Sequence, residues 1–422
     1  MSIATTVIAK DVALSGKIKA ISSKSDLHRL IICACLSDSL CKIEYNAKLS
    51  KDINATISCL TSLGAKIEVS DGVIDIVKPI DKQNIPEQVV LDCGESGSTA
   101  RFLLPICAIL AENITLTGSG KLPERPFKEL CEALNKMGAV FSDDRLPITI
   151  KKRAKPSGFF EISGGVSSQY VTGLLFVLPM CDAKGIKLTS TLESAGYVNL
   201  TADVMKRFGV EVSLENNVYT TCGEYTSPGG TIIAQGDWSN SAFWLCAPCK
   251  NSIITVEGLD FSSSQPDKRV FDILAEMGMD VEINSNCITV CAPNGSKGIT
   301  LDARNIPDLV PILSVRAAVS TGDTVISGIE RLRLKESDRV KSVCDMINNL
   351  GGQASSDSSC IYIKGTGGVL SGGTVDSYND HRIAMAAAIA ASFCENDVKI
   401  IGSDAVAKSY PQFYDDRKCL EI

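Results

Sequence analysis

Lys128-Glu129-Leu130-Cys131-Glu132-Ala133-Leu134-Asn135-Lys136-Met137-Gly138-Ala139-Val140-Phe141 is the stretch from which the fold is read. Leu130, Leu134 and Met137 recur at helical spacing. Gly138 follows a large apolar residue, where a left-handed residue closes a helix. Ala139-Val140-Phe141 then reads as a short strand. The same pattern is written four more times. Leu63-Gly64 leads into Ala65-Lys66-Ile67, Phe208-Gly209 into Val210-Glu211-Val212, Met277-Gly278 into Met279-Asp280-Val281, and Leu350-Gly351 into Gly352-Gln353-Ala354. The five glycines are 74, 71, 69 and 73 residues apart. Such even spacing argues for a structural repeat rather than five coincidental helix ends. Downstream of the fourth glycine, Val281 and Ile283 alternate, as Ile288 and Val290 do less cleanly.

A repeat of about 72 residues therefore holds at least one helix, a crossing strand and a hairpin. One further period from Gly351 reaches position 422, so a sixth copy would lack its tail strands, which the strand-like segment 2–20 can supply. Six units in two groups of three follow, with one domain discontinuous: 1–20 plus 235–422, and 21–234 between them. The crossover is expected near 231–237. The fold class is α/β.

Apolar residues make up 45% of the 422 and charged residues 22%, ordinary for a globular protein. The net charge of −7 gives no general attraction to nucleic acid or anionic membrane. Any anionic ligand must be drawn by local cations. The 17 cysteines form no framework and read as reduced thiols of a cytoplasmic protein. Cys246-Ala247-Pro248-Cys249 is a lone CxxC in an apolar stretch, and the two histidines, His28 and His381, complete no metal set. The first ten residues lack a basic region followed by a long apolar core, so no secretion signal is expected. The longest apolar run, 383–394, is too short to cross a bilayer.

Chemistry gathers where polar turns enter helices. Asp92-Cys93-Gly94-Glu95-Ser96-Gly97-Ser98-Thr99-Ala100-Arg101 precedes the apolar run 102–111. Its serines or threonine can cap a helix whose first N–H groups are free to hold a phosphate or carboxylate. Arg101 adds a cation there or points to solvent. The loop is neither a dinucleotide fingerprint nor a Walker loop. Ser22-Ser23-Lys24-Ser25-Asp26-Leu27-His28-Arg29 is a second such turn. Pro126 fits the first position of the helix that runs to Met137. Ser167-Ser168-Gln169 and Ser194-Ala195-Gly196-Tyr197 open two further helices. Asp308 precedes another, where a plain N-cap is the simplest reading. Lys335 and Arg339 would share one face if helical, with Glu336 between them. Asp380-His381-Arg382 enters an Ala-rich helix, and Lys408 lies near the end. Lys24, Arg29, Arg125, Lys335, Arg339, Arg382 and Lys408 could line a site for a small polyanion, with Asp308 and Glu336 available for proton transfer.

In this order, the stretches at 23–29, 92–103, 122–126, 167–170, 306–308, 334–339, 379–382 and 408–411 resemble the 5-enolpyruvylshikimate-3-phosphate synthase family over nearly the whole chain. The resemblance implies a two-domain inside-out α/β barrel of six βαβαββ-type repeats, three per domain. It implies transfer of the enolpyruvyl group of phosphoenolpyruvate to the 5-hydroxyl of shikimate 3-phosphate, with release of phosphate and no cofactor or metal. By motif position, Lys24, Ser25, Arg29, Ser167, Ser168, Gln169, Ser194, Tyr197, Asp308 and Lys335 would hold shikimate 3-phosphate. Lys24, Gly97, Arg125, Gln169, Arg339, Arg382 and Lys408 would hold phosphoenolpyruvate. Asp308 would take the hydroxyl proton, and Glu336 with Lys24 would protonate the methylene carbon. The expected partners are these two small molecules, with no nucleic acid and no membrane, and the expected assembly is a monomer.

The chain departs from the family pattern at Glu95 and Arg331, which stand where Asn is usual, and at Asp26 and His28, which alter the first basic turn. The alternative is the sibling family that transfers enolpyruvyl to UDP-N-acetylglucosamine. That family carries a Lys-Asn pair in its first basic motif and usually a Cys in the loop before its Arg. Here the positions read Lys24-Ser25 and Gly120-Lys121-Leu122-Pro123-Glu124-Arg125. A third reading, a phosphate-binding scaffold without catalysis, is disfavoured by the presence of Asp308 and Glu336.

Overall fold

The computed structural model describes residues 3–10 and 12–422. Met1, Ser2 and Asp11 lie outside the described residues, so the segment read as 2–20 is followed from Ile3 with one position omitted. The chain divides into two compact units, Met1–Ser23 with Gln235–Ile422, and Lys24–Ala234. The first junction falls after Ser23 and not after residue 20. Ser22 bridges Gly236, and the Ser23 N–H donates to the Gln235 carbonyl at 2.7 Å, which keeps 21–23 with the discontinuous unit.

The repeat around the opening stretch shows the pattern. Strand Val90–Asp92 leads into helix Gly97–Leu110, and strand Ile114–Thr117 returns parallel to the first strand. Helix Lys128–Asn135 follows, then the hairpin Val140–Phe141 and Ile148–Lys152, whose second arm pairs antiparallel with Ile114–Thr117. The order is βαβαββ. The repeat running from Gly158–Ile162 to Val218–Cys222 is built the same way. So is the one made of helices Lys24–Leu36 and Lys51–Ser62, except that its first strand, Thr231–Ile233, arrives from the far end of the unit to pair with Cys41–Glu44.

In the discontinuous unit the N-terminal segment is shared between two sheets. Gly16–Lys19 lies parallel to Ile253–Glu257 and opens the repeat that continues with helix Trp238–Leu245. Thr5–Ile8 pairs antiparallel with Val398–Ile401 and gives the last repeat its tail. The sequence reading assigned the whole segment to that last repeat. The division arises because 231–233, which precede Trp238 in the chain, are already paired in the other unit. Among the described residues there are five four-stranded sheets and one of three strands, the one containing Thr5–Ile8.

The five glycines that set the repeat share one geometry. Gly64, Gly138, Gly209, Gly278 and Gly351 have φ of 102°, 91°, 81°, 81° and 85°. In each case the next residue donates its N–H back to the carbonyl five positions earlier, as Ala139 does to Leu134 at 3.2 Å and Val210 to Met205 at 3.0 Å. This is the two-bond left-handed helix terminus that favours glycine. The strand after each glycine is the outer edge of its sheet. Ile283 is therefore 45% exposed and Val281 half-buried, and it is the second arm, with Ile288 and Val290, that faces the core. The alternation is cleaner where the sequence made it look weaker.

One helix of each repeat is buried nearly all round: Lys24–Leu36, Gly97–Leu110 and Ser168–Val177 in one unit, Trp238–Leu245, Val310–Ala318 and His381–Ala390 in the other. Such helices carry apolar residues on every face. Gly173 lets Ser168–Val177 approach Gly97–Leu110, since a Cβ there would run into the Arg101 carbonyl. No helix among the described residues is long and apolar enough to cross a membrane.

Candidate active site

Most of the residues singled out by sequence sit at or just before helix starts, in both units, whereas Lys408 ends the short helix Ser403–Lys408. In the unit Lys24–Ala234, Ser96 caps the helix Gly97–Leu110, its Oγ accepting the Thr99 N–H at 3.2 Å. The unpaired N–H groups and dipole of that first turn give it positive potential. Two guanidinium groups bracket Gly97, where a Cβ would lie 2.6 Å from Arg125 Nη1 and 3.1 Å from Arg101 Nη1. Arg101 is 3% exposed. It donates to Gln169 Oε1 at 2.7 Å and to the Pro126 carbonyl at 3.2 Å, and lies over the rings of Phe127 and Tyr170. Gln169 Nε2 donates to Ser98 Oγ at 2.9 Å. Gln169, Gly97 and Arg125 are thus held together around Arg101. Ser167 Oγ caps the Gln169 N–H at 3.3 Å, and Ser168 is buried beside it.

Lys24 begins the helix Lys24–Leu36, and its Nζ lies 3.0 Å from Asp52 Oδ2. Ser25 follows it in the same turn, and its carbonyl accepts from Arg29 Nη1 at 2.6 Å. Arg29 also donates from Nε to Thr201 Oγ1 at 2.8 Å and from Nη2 to the Tyr197 carbonyl at 3.0 Å. Burial lowers the Arg29 guanidinium to about 10, with Asp26 opposing. Ser194, just before helix Ala195–Arg207, is a non-glycine residue at φ 55°, a strained setting typical of functional turns.

In the other unit a cluster forms around Arg339. Its Nη1 donates to Asp308 Oδ1 at 2.6 Å, its Nη2 to Glu336 Oε2 at 2.8 Å and its Nε to Asp380 Oδ2 at 2.8 Å. Arg382 Nη2 reaches Asp308 Oδ2 at 3.1 Å, and Lys335 Nζ lies 3.7 Å from Asp308 Oδ1. Burial alone would raise the Asp308 carboxyl. Arg382, Lys335 and Arg339 outweigh it and hold the group well below the usual carboxylate range. Burial pushes the Lys335 ammonium down to about 8 against the pull of Asp308, with Arg339 and Arg331 lowering it further. Lys408 Nζ donates to the Asn379 carbonyl at 2.6 Å, in a turn where Tyr378 and Asn379 have φ of 52° and 57°.

Within each unit, therefore, the expected ligands converge: Gly97, Arg125 and Gln169 in one, Asp308, Lys335, Glu336, Arg339 and Arg382 in the other. Several local readings change. Asp308 Oδ1 and Oδ2 face cations and cap no helix. Lys335 and Arg339 do not share a helical face, because Lys335 is extended and the helix begins at Arg339, yet both reach Asp308. Pro126 lies before the helix, which starts at Lys128, because Phe127 takes the cap position. Asp26 and His28 are buried, 0% and 1% exposed. His28 Nδ1 hydrogen-bonds Thr56 Oγ1 at 2.8 Å, and burial, then Lys24 and Arg29, hold its imidazole well below its ordinary value. Glu95 folds against Gly120, so close that a Cβ there would overlap its carboxylate. Cys246 and Cys249 are free thiols.

Three residues with direct contacts to this machinery went unnoticed in the sequence: Asp52, Arg101 as a clamp on Gln169, and Asp380 as a partner of Arg339. Asp380 also accepts the Arg382 N–H at 2.9 Å, so in sequence it reads as an ordinary cap.

Comparison with known proteins agrees with this architecture. A family model described as EPSP synthase (3-phosphoshikimate 1-carboxyvinyltransferase) matches residues 8–416. A 3-phosphoshikimate 1-carboxyvinyltransferase of Clostridium acetobutylicum is 43% identical over 416 residues, covering 96% of this chain and 95% of the relative. One of Clostridium novyi is 41% identical over 416 residues, covering 96% and 94%. Among solved structures, an EPSP synthase from Acinetobacter baumannii superposes with a TM-score of 0.82 at 23% identity, covering 99% of this chain and 98% of that one. The enolpyruvyl transferase NikO from Streptomyces tendae gives 0.77 at 16%, covering 98% and 96%.

Proposed function

The chain belongs to the EPSP synthase family, and from that premise we infer that it joins the 5-hydroxyl of shikimate 3-phosphate to C2 of phosphoenolpyruvate and releases phosphate, the enolpyruvyl transfer of the shikimate pathway. The observation that carries this reading into chemistry is the Asp308 cluster, a carboxylate held ionised among Arg339, Arg382 and Lys335.

The reaction needs a base for the hydroxyl, an acid for the methylene carbon and cations for two phosphates and a carboxylate. Asp308 accepts the 5-hydroxyl proton as the oxygen bonds to C2 of phosphoenolpyruvate. Glu336, with Lys24, delivers a proton to C3, which gives a tetrahedral intermediate with a methyl group. The C2–O bond to phosphate then breaks and the methyl group returns a proton, restoring the double bond. Shikimate 3-phosphate is held by Lys24, Ser25, Arg29, Ser167, Ser168, Gln169, Ser194, Tyr197, Asp308 and Lys335. Phosphoenolpyruvate is held by Lys24, Gly97, Arg125, Gln169, Arg339, Arg382 and Lys408. Planar guanidinium forks suit phosphate and carboxylate.

Asp308 is a poor base while three cations hold its proton off. Substrate anions that draw on Arg339, Arg382 and Lys335 weaken that pull, so the carboxylate gains proton affinity as the site fills. Two domains, 1–23 plus 235–422 and 24–234, working as a monomer in the cytoplasm complete the proposal.

Incubation with shikimate 3-phosphate and phosphoenolpyruvate, followed by phosphate assay and product mass, tests the reading. Release of phosphate only with UDP-N-acetylglucosamine as acceptor would reverse the choice of substrate. The stretch Gly120–Arg125, without the Cys of that sibling family, disfavours that outcome.

A further inference from the structure

We propose that Asp52 is a positioning residue for enolpyruvyl transfer, acting through Lys24 and fixing it relative to the Gly97 turn. Asp52 lies in the first turn of helix Lys51–Ser62, where an acid often does no more than complement the helix dipole. That helix already has its cap, because Ser50 Oγ accepts the Ile53 N–H at 3.3 Å. The Asp52 carboxylate turns instead to Lys24, with Oδ2 3.0 Å from Nζ. Both side chains are mostly withdrawn from water, at 16% and 14% exposure, unlike a surface pair that salt would screen.

The backbone of the same residue reaches the second turn. Thr99 Oγ1 lies 2.7 Å from Ser96 Oγ and 3.4 Å from the Asp52 carbonyl, and its one proton serves one or the other. Ser96 is the cap of the helix that starts at Gly97. One turn further along the helix of Asp52, Thr56 joins Thr99 Oγ1 at 2.7 Å and His28 at 2.8 Å. The helix of Asp52 therefore touches both turns, the basic one through the Asp52 carboxylate on Lys24 and the glycine one through Thr56 and the Asp52 carbonyl beside Thr99. A lysine ammonium sits on a flexible four-carbon stem, and its reach into a site is set by what holds it.

The inference rests on the proposed reaction, in which Lys24 touches substrate. Asp52→Asn keeps the shape and removes the charge. Its kcat/KM for phosphoenolpyruvate should fall about tenfold or more, with the melting temperature within about 2 °C of wild type and KM for shikimate 3-phosphate changed less. Asp52→Glu should recover part of the loss. The deciding measurement is the double-mutant cycle. In a Lys24→Met background, Asp52→Asn should cost less than about twofold further. A second readout needs no turnover: acylation of Lys24 by an amine-reactive ester, followed by peptide mass, should quicken at least about threefold when Asp52 no longer pins it. Additive losses in the cycle, or unchanged acylation in Asp52→Asn, would overturn the inference. If wild type fails to turn over both substrates, the functional reading falls, and the acylation arm still decides the role of Asp52.

Discussion

Replacing Gly97 by Ala tests the glycine turn at its tightest point. The new Cβ would sit 2.6 Å from Arg125 Nη1, 3.0 Å from its Cζ and 3.1 Å from Arg101 Nη1. Ordinary contact needs about 3.4 Å or more, so a guanidinium must retreat by about 0.8 Å. Arg101 is locked by Gln169, Pro126 and two rings. Arg125, meeting the methyl with the tip of its side chain, is the group that moves. A hydrogen bond to a charged group is worth about 1.5–3 kcal/mol. Losing one such bond to a phosphoenolpyruvate oxygen raises its KM by about 10- to 100-fold. The backbone at Gly97 is not in the left-handed region, so Ala is tolerated there and stability should hold or rise by a few tenths of a kcal/mol. Steady-state kinetics with each substrate varied in turn, beside a thermal melt, separates the terms. KM for phosphoenolpyruvate should rise at constant melting temperature, while KM for shikimate 3-phosphate changes little. An unchanged KM for phosphoenolpyruvate, or equal loss for both substrates, would refute the placement of Arg125 against that ligand.

Asp308→Asn should lower turnover by about 10²–10⁴-fold with a much smaller change in phosphoenolpyruvate binding. Near-normal turnover would move the base to Glu336. Shikimate 3-phosphate affinity should weaken as pH rises through about 8, because free Lys335 is charged below that value and neutral above it, while the substrate phosphate is already dianionic. Calorimetric titration between pH 7 and 9 reads this directly. Lys335→Arg should flatten the profile, and a wild-type affinity independent of pH would discount Lys335 as a ligand. Gly278→Ala should cost about 1–2 kcal/mol from the left-handed backbone alone, since nothing lies within 4 Å of the new Cβ. Gly209→Ala should cost more, because its Cβ would strike Thr226 Oγ1 and the Glu224 carbonyl. Equal losses in urea melts would contradict that ranking.

The repeat was legible because its signal is local. A left-handed residue at a helix end favours glycine, and five glycines at even spacing mark five ends. The cations were legible for the same reason, each lying beside a polar turn. The destination of a strand was not. Nothing in Thr5–Ile8 or Gly16–Lys19 states that one pairs with Val398–Ile401 and the other with Ile253–Glu257, because short strands have no preference for a partner beyond fitting its face. Asp52 and Asp380 were hidden differently. An acid in a first turn or cap is explained by the helix alone, so its long-range partner leaves no trace in the spacing. Arg101 was left between adding a cation to its turn and pointing to solvent, because an arginine in sequence does not show the rings of Phe127 and Tyr170 that cover it.

The sharing of the N-terminal segment between two sheets sets an order of events during synthesis. The partners of Gly16–Lys19 and Thr5–Ile8 emerge more than 230 and 380 residues later. At about 5–20 residues per second, Thr5–Ile8 waits roughly 20–80 seconds for Val398–Ile401. The unit Lys24–Ala234 can complete all of its sheets before either partner emerges; Gly16–Lys19 then gains Ile253–Glu257, and Thr5–Ile8 alone waits out the rest of the interval. The nascent chain thus carries an early unpaired segment that a chaperone, or a neighbouring chain, could reach before its own C-terminal half arrives.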